Sequence, residues 1–408
     1  MKELFKNRNF FLLFLGRIIT NMGDSLYTVA VMWLVYDLSG SAFYSGLAGF
    51  LVMAPAVLQF LTGPLIDRWP LKKTLVNTQV AQGLLVLLIP VAYYLNILSV
   101  PLLLVIMPLV SMLNQFVYPA QNAALPAILP KEQLIKGNSA FSFAYQGVDL
   151  VFNALAGIII AIVGAAVLFL IDSVTFAITA VIFLLLKMPE SSKDDDPSLK
   201  PVLGYWQELT EGVQFVTRSL LAKIFTGMIV ANFAIGATLA VLPVYADENG
   251  GPELYGFYLA ALSFGSLTGA LAAPFLEKFR LGRLIIVSFA VGGSLWLCSI
   301  NLPWAYAGAI LFGIAWIPVG ACNVIIAAAI QRIVPTHLLA RVFSVMASVG
   351  ASAAPLGSLL GGTIASVTSG ATVFNVAAGG FLFLSAYYAL TTRLRTLPAA
   401  PELDESHL

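Results

Sequence analysis

The sequence predicts an all-α membrane protein with twelve transmembrane helices in two six-helix pseudo-repeats. Three observations predict it. The 408-residue chain is 59% hydrophobic and only 10% charged, whereas a soluble domain carries about 25% charged residues. It contains a series of apolar stretches, each near the ~20 residues needed to cross a bilayer. The lysines and arginines are sorted into alternate connections. Lys2, Lys6, Arg8, Arg68, Lys72, Lys73, Lys131 and Lys136 occupy one set, as do Lys187 through Lys223, Lys278, Arg280, Arg283, Arg332, Arg341, Arg393 and Arg395. The connections near 37–42, 95–100, 163–166, 246–254, 301–304 and 366–371 carry none. Cations are retained on the cytosolic side. The sorting therefore predicts an even number of spans, with both termini in the cytosol.

The spans are read at 10–36, 43–65, 74–95, 101–122, 138–162, 166–186, 223–246, 254–275, 284–300, 304–327, 342–365 and 371–390. The first is too long for a signal-peptide core and has no small-residue cleavage site after it, so it is expected to be retained. Pro55, Pro108, Pro243, Pro318 and Pro355 interrupt their spans, which bundled membrane helices tolerate. Glycines of the eighth and eleventh spans are expected at close helix contacts. Between the sixth and seventh spans, 188–203 is loop-like, with Asp194, Asp195 and Asp196 between polar neighbours. Trp206, Leu209, Val213 and Val216 then repeat at helical spacing, as in an amphipathic helix on the cytosolic face. The expected organisation is an N-terminal bundle over 1–187, a linker with that helix over 188–222, a C-terminal bundle over 223–391 and a cytosolic tail over 392–408.

The two halves look like copies. Leu129-Pro130 to Phe141-Ser142 parallels Val334-Pro335 to Phe343-Ser344, and Asp172 roughly corresponds to Asn375. Two six-span repeats joined by a linker are the plan of a secondary transporter whose site lies between the repeats. Cys298 and Cys322 lie in apolar stretches and read as small core residues. His337 and His407 are far apart in sequence. No metal-ligand spacing, phosphate-binding glycine loop or nucleophile elbow is present. No enzyme, cofactor or metal site is therefore expected, and the energy source is an ion or solute gradient.

Polar residues inside the spans mark the candidate site. Arg17, Asn21, Asp24 and Thr28 recur at spacings of four, three and four, and share one helix face. Arg17 and Asp24 lie roughly 10 and 20 Å along the helix from Phe10, at 1.5 Å per residue. Ser142, Gln146, Asp149 and Asn153 form a similar stripe on the fifth span. Asn114, Gln115, Tyr118 and Asn122 add a third on the fourth. A charge at the bilayer centre costs at least ~2.5–3.5 kcal/mol, so these stripes should face a cavity or one another. Arg17 is read either as a structural ion pair with Asp149 or Asp24, or as a charge that answers substrate or proton binding. With two acids and one base, Asp24 is expected to be the carboxylate without a fixed partner. Asp172 is expected to satisfy a helix end or a neighbour.

The connection after the second span reads Gly63-Pro64-Leu65-Ile66-Asp67-Arg68-Trp69-Pro70-Leu71-Lys72-Lys73. It resembles the Gly-x-Leu-x-Asp-Arg-x-Gly-Arg-Lys signature of the major facilitator superfamily, with Pro70 in place of a glycine and Leu71 in place of an arginine. Glu277-Lys278-Phe279-Arg280-Leu281-Gly282-Arg283 is a degenerate echo of it. Over nearly its whole length the chain is similar to that superfamily's drug and macrolide exporters. The similarity rests on Asn9-Phe10, Gly23-Asp24, Trp33 through Ala42, Tyr118-Pro119-Ala120 with Leu125-Pro126, and Phe169-Leu170-Ile171-Asp172 with Thr175-Phe176. Gln331 through Pro335 and Arg341 through Ser344 complete it. The exporters' Gly-Pro element of the fifth span is replaced by Phe152 through Gly157, while Pro355-Leu356-Gly357 keeps the proline in the eleventh.

The resemblance implies alternating access and proton-coupled export of small amphipathic or lipophilic compounds. On this reading Asp24 and Asp149 carry protons. Arg17, Asn21, Thr28, Asn114, Tyr118 and Gln146 line the substrate cavity. Gly63, Asp67, Arg68 and Lys72 form a charge network that gates the conformations. The expected partners are the substrate, protons and membrane lipids, with no nucleic acid, in a monomer of the cell inner membrane. A lipid or lysophospholipid flippase, a siderophore or metabolite exporter, and a non-transporting receptor or scaffold are the alternatives.

Overall fold

The computed structural model describes residues 2–58, 69–130, 133–188 and 202–403. Within them the apolar stretches are helical, and no strand forms beyond one isolated bridge between Arg280 and Ala399. The helices are α1 Lys2–Lys6, α2 Arg8–Ser39, α3 Ala42–Met53, α4 Leu71–Tyr94, α5 Val100–Ile128, α6 Leu134–Val163 and α7 Ala165–Leu184. After a gap in the described residues come α8 Val202–Arg218, α9 Leu221–Asn249, α10 Pro252–Leu276, α11 Leu281–Ile300 and α12 Ala305–Ile333. The series ends with α13 Thr336–Val367, α14 Gly370–Leu390 and α15 Thr392–Arg395. Ten helices among the described residues are long and apolar enough to span a membrane, and shorter apolar segments lie at 42–58 and 147–163. Together these follow the twelve stretches read from the sequence.

The ends of the helices are set locally. Asn7 caps α2, its side-chain oxygen accepting from the amides of Asn9 and Phe10. This satisfies donors that a helix start leaves unpaired. At the other end Gly40 adopts φ 58°, and its amide donates to the Tyr36 carbonyl. That left-handed conformation favours glycine. Pro55 begins no new helix: it lies in a 3-10 turn, Ala54–Leu58, which continues α3.

The chain divides into two compact units, one of Met1–Gly40 with Leu51–Leu199 and one of Ser41–Phe50 with Lys200–Leu408. In the first, α2 packs on α5, α6 and α7, while α4 packs on α5 and α7. Its core includes Phe10, Leu13, Leu75, Leu125, Phe141 and Phe183. Gly16 lets α2 close on α7, since a Cβ there would strike the Phe183 ring.

The second unit pairs α9 with α13 and α10 with α12. Gly265 and Gly269 meet the carbonyls of Gly313 and Ile317, and Gly357 meets that of Phe233. These are the close contacts expected of glycines in the eighth and eleventh spans. The short segment Ser41–Phe50 belongs to this unit: Ser45 Oγ donates to the Ala240 carbonyl at 2.6 Å, and Gly46 lies against Gly362. Trp296, Phe312, Trp316, Phe374 and Phe381 make a continuous aromatic core with mainly edge-to-face contacts.

Candidate functional site

The buried polar residues of the first unit gather around α2. Asp24 is held from α5: the Tyr118 hydroxyl lies 2.6 Å from its Oδ2, and Asn114 Nδ2 donates to the same oxygen at 3.2 Å. The same Tyr118 hydroxyl lies 2.7 Å from Asn21 Oδ1, one turn earlier on α2. A phenol has a single proton, so Tyr118 donates to Asp24 or to Asn21, not to both. The α5 positions four apart, 114 and 118, are what put both donors on one face of the helix.

Asp149 approaches from α6. Its Oδ1 lies 2.5 Å from the Ser25 hydroxyl, which also contacts the Asn21 carbonyl at 2.9 Å. The Tyr118 and Tyr145 rings meet edge to face at 6.0 Å and bring α5 against α6 beside both acids.

Arg17 does not form the ion pair that is one of its two sequence readings. It is 8% exposed and pairs with neither acid. Its Nη1 donates to Gln121 Oε1 at 3.1 Å and to Asn122 Oδ1 at 3.2 Å. The guanidinium lies over the Phe141 ring at 4.7 Å and the Tyr118 ring at 5.0 Å. The reason is distance along α2. Arg17 is seven residues from Asp24, about 10 Å at 1.5 Å per residue, and its fork reaches sideways to amides of α5. Neutral acceptors and two ring faces hold a cation here without a counter-charge.

The other sequence-predicted residues fall as follows. The Thr28 hydroxyl is exposed and donates to the Asp24 carbonyl of its own helix at 2.8 Å, outside the hydrogen-bonded cluster. Gln115 likewise donates within α5, to the Ser111 carbonyl. The Gln146 side chain lies outside the described residues, as do Gly63, Asp67 and Arg68 of the charged connection. Lys72 stands in the first turn of α4. Asp172 caps no helix end: it lies well inside α7, is 0% exposed, and faces Gly23 of α2.

Sequence reasoning missed Ser25 and Gln121, the partners of Asp149 and Arg17, and a polar ladder on α4. The Thr20 hydroxyl donates to Gln79 Oε1 at 3.4 Å, Gln79 Nε2 to Gln82 Oε1 at 3.4 Å, and Gln82 Nε2 to the Val110 carbonyl at 3.4 Å. The available signal was two glutamines three apart, following Thr74, Asn77 and Thr78, in the first half of a span that is otherwise apolar. In the second unit a cavity of about 240 Å³ is lined by Met228, Asn232, Phe289, Asn323, Met346 and Tyr388, among others. No group of three or more His, Cys, Asp or Glu residues able to hold a metal ion forms among the described residues.

Comparison with known proteins places this geometry in context. The family described as "Transmembrane secretion effector" matches residues 4–407. The MFS-type transporter YkuC of Bacillus subtilis is 28% identical over 361 residues, covering 83% of this chain and 81% of its own length. The multidrug efflux pump Tap of Mycobacterium tuberculosis is 25% identical over 406 residues, covering 97% of this chain and 96% of Tap. Among solved structures, the nucleoside transporter NupG superposes with a TM-score of 0.72 at 12% identity, over 93% of this chain and 98% of NupG. A bacterial homologue of the human lysosomal transporter Spinster gives 0.72 at 13% identity, over 94% of this chain and 96% of its own.

Proposed function

The chain belongs to the transmembrane secretion effector family of the major facilitator superfamily, a family of multi-pass membrane transporters and not of enzymes, and we propose that it exports small amphipathic or lipophilic compounds in exchange for protons. The observation that carries this reading is the Asp24–Tyr118–Asn21 arrangement: a carboxylate in the middle of a membrane helix, hydrogen-bonded to a hydroxyl with a second acceptor in reach.

The chemistry follows from the single phenolic proton. With Asp24 ionised, Tyr118 donates to Asp24 Oδ2, and Asn114 adds a second donor. With Asp24 protonated, the acid donates to the Tyr118 oxygen and Tyr118 donates to Asn21 Oδ1. One proton thus redirects a hydrogen bond from α2–α5 contact at residue 24 to contact at residue 21. A ligand or ion shifts a conformational equilibrium only through interactions that differ between the states, and this redirection is such a difference. Asp149, held by the Ser25 hydroxyl, is the second candidate carrier. Arg17 lies next to the same tyrosine and presents a cation to the electron-rich or anionic part of a substrate. Asn21, Asn114 and Tyr118 give the substrate polar contacts, with Thr28 and Gln146 as further candidates.

The drug-export assignment is supported by the likeness to Tap over nearly the whole of both chains. The cation-bearing connections are assigned to the cytosol by charge alone, with the protein as a monomer in the inner membrane. Gly63, Asp67, Arg68 and Lys72 are proposed as the gating network on that side. Ethidium accumulation in cells expressing the protein tests the reading. Accumulation should fall below that of control cells and rise again with a protonophore. Lowered accumulation that a protonophore leaves unchanged would remove proton coupling from the proposal.

A further inference from the structure

We propose that Asp172 is a second proton-binding site of the carrier, holding its proton as a neutral acid while the backbone of Gly23 lies against its carboxyl group. The inference rests on the transport reading, but it does not require Asp24 to be the coupling residue.

Asp172 is 0% exposed and seven residues inside α7. A Cβ at position 23 would collide with Asp172 Oδ1 and Thr175 Oγ1, so only glycine lets α2 lie this close. The carboxyl group has one polar contact among the described residues, Thr175 Oγ1 at 3.2 Å from Oδ1. That hydroxyl is also 2.7 Å from the Asp172 carbonyl. It has one proton to donate, and the shorter contact takes it. In the proposed neutral acid the longer contact is donated by the carboxylic O–H of Asp172 itself. Oδ2 has no partner among the described residues, and neither has the Tyr27 hydroxyl one turn beyond Gly23 on α2.

Among the described residues no cation offsets a charge at this place. The groups acting on Asp172 from α2 are Asp24 and Tyr27, one acid and one phenol. On α4 the facing stretch 80–90 carries no titratable side chain, and neither does 155–163 on α6. A carboxylate enclosed by apolar helices, with an acid as its charged neighbour, is a costly arrangement. A neutral acid avoids that cost.

The site is filled and emptied by helix contact. When α2 withdraws from α7, water reaches the group. Its O–H bond breaks, the proton passes to water and the carboxylate remains, stabilised by hydration. When Gly23 returns, the carboxylate takes a proton back from water. Each open-and-close movement at this contact therefore moves one proton on and one off, at a carboxyl group other than Asp24.

The test is infrared difference spectroscopy on the whole protein in lipid nanodiscs, with and without carbon-13 aspartate. The carbonyl stretch of a protonated aspartic acid should be present near neutral pH. Asp172→Asn should lose that band, and Asp24→Asn should retain it. Gly23→Ala should shift the band or abolish it, because the added methyl intrudes on Oδ1. A spectrum unchanged by Asp172→Asn would overturn the proposal. So would an Asp172→Asn protein that fails to fold, because the amide copies the neutral acid in size and polarity. The two proposals fail separately. Protonophore-insensitive ethidium export with the Asp172 band intact would sink proton coupling and leave this site standing. Protonophore-sensitive export without the band would do the reverse.

Discussion

Arg17 and Asp24 share a face of α2, yet they are held by different chemistry on α5. Arg17 is held through Nη1 by two side-chain amides and lies over two rings, its Nε having no partner among the described residues, whereas Asp24 is held by a phenol and an amide. Removing the Gln121 amide would leave a buried cation short of an acceptor, which costs about 1–3 kcal/mol or more for a charged group. Gln121→Leu should therefore lower the folded yield and the Tm of purified protein, whereas Asp149→Asn, whose partner is the Ser25 hydroxyl, should leave both near the parent values. The reverse ordering would show that Arg17 depends on Asp149 after all. Asp24→Asn fixes the hydrogen-bonding pattern of the protonated state. It should keep ethidium binding but lose efflux driven by an imposed pH gradient, by tenfold or more in initial rate. Counterflow exchange of ethidium across proteoliposomes, which needs no proton movement, should persist. If Asp24→Asn pumps uphill like the parent, Asp24 is not the carrier.

At the scale of helices, what decides position is where backbones touch. Gly23 is fixed against Asp172 and Thr175, and Gly236 against the carbonyl of Ala354. A carbonyl cannot rotate aside as a side-chain end can. Overpacking of this kind typically costs 1–3 kcal/mol, and more where backbone must shift, so Gly236→Val should cost at least about 2 kcal/mol. Size-exclusion profiles and thermal unfolding in detergent should show a reduced monomer peak and a lower Tm. Gly147→Ala is the matched control, because a Cβ there meets nothing within 4 Å.

The helices themselves were legible from the sequence, because apolar length and cation sorting act on each span separately. Part of the candidate polar cluster was legible too. Asn21, Asp24, Asn114 and Tyr118 declared themselves by helical spacing, and the structure joins them. The pairing of Arg17 was not legible. Spacing gives the face of one helix, whereas Gln121 and Asn122 are chosen by the depth and rotation at which α5 crosses α2. The burial of Asp172 was hidden for the same reason: the position of Gly23 on α2 means little until α7 is seen against it.

At the scale of the whole molecule, the orientation of the chain depends on which connections carry the cations. Every lysine and arginine outside the spans lies in one alternate set of connections. Translocating such a connection is opposed, and the bias acts through short loops near the helix ends. The assignment is made at 37–42 and 246–254 by the absence of cations, and at 188–203 by the lysines around the acidic run. In a background with Cys298 and Cys322 replaced by alanine, Ser41→Cys and Gly250→Cys should react with a membrane-impermeant maleimide on intact cells. Ser192→Cys should react only after the membrane is opened. Ser41 follows the end of α2 and Gly250 the end of α9, so the pair samples the same face in both halves of the chain. Labelling at Ser41 and Gly250 together also requires an odd number of crossings before the first and an odd number before the second, which fixes the parity of the spans between them. Labelling of Ser192→Cys on intact cells would invert the molecule. Protons entering down the gradient would then meet the charged connection 63–73 first, and the gating network would lie at the outer mouth, although exchange for entering protons would still drive the substrate outward.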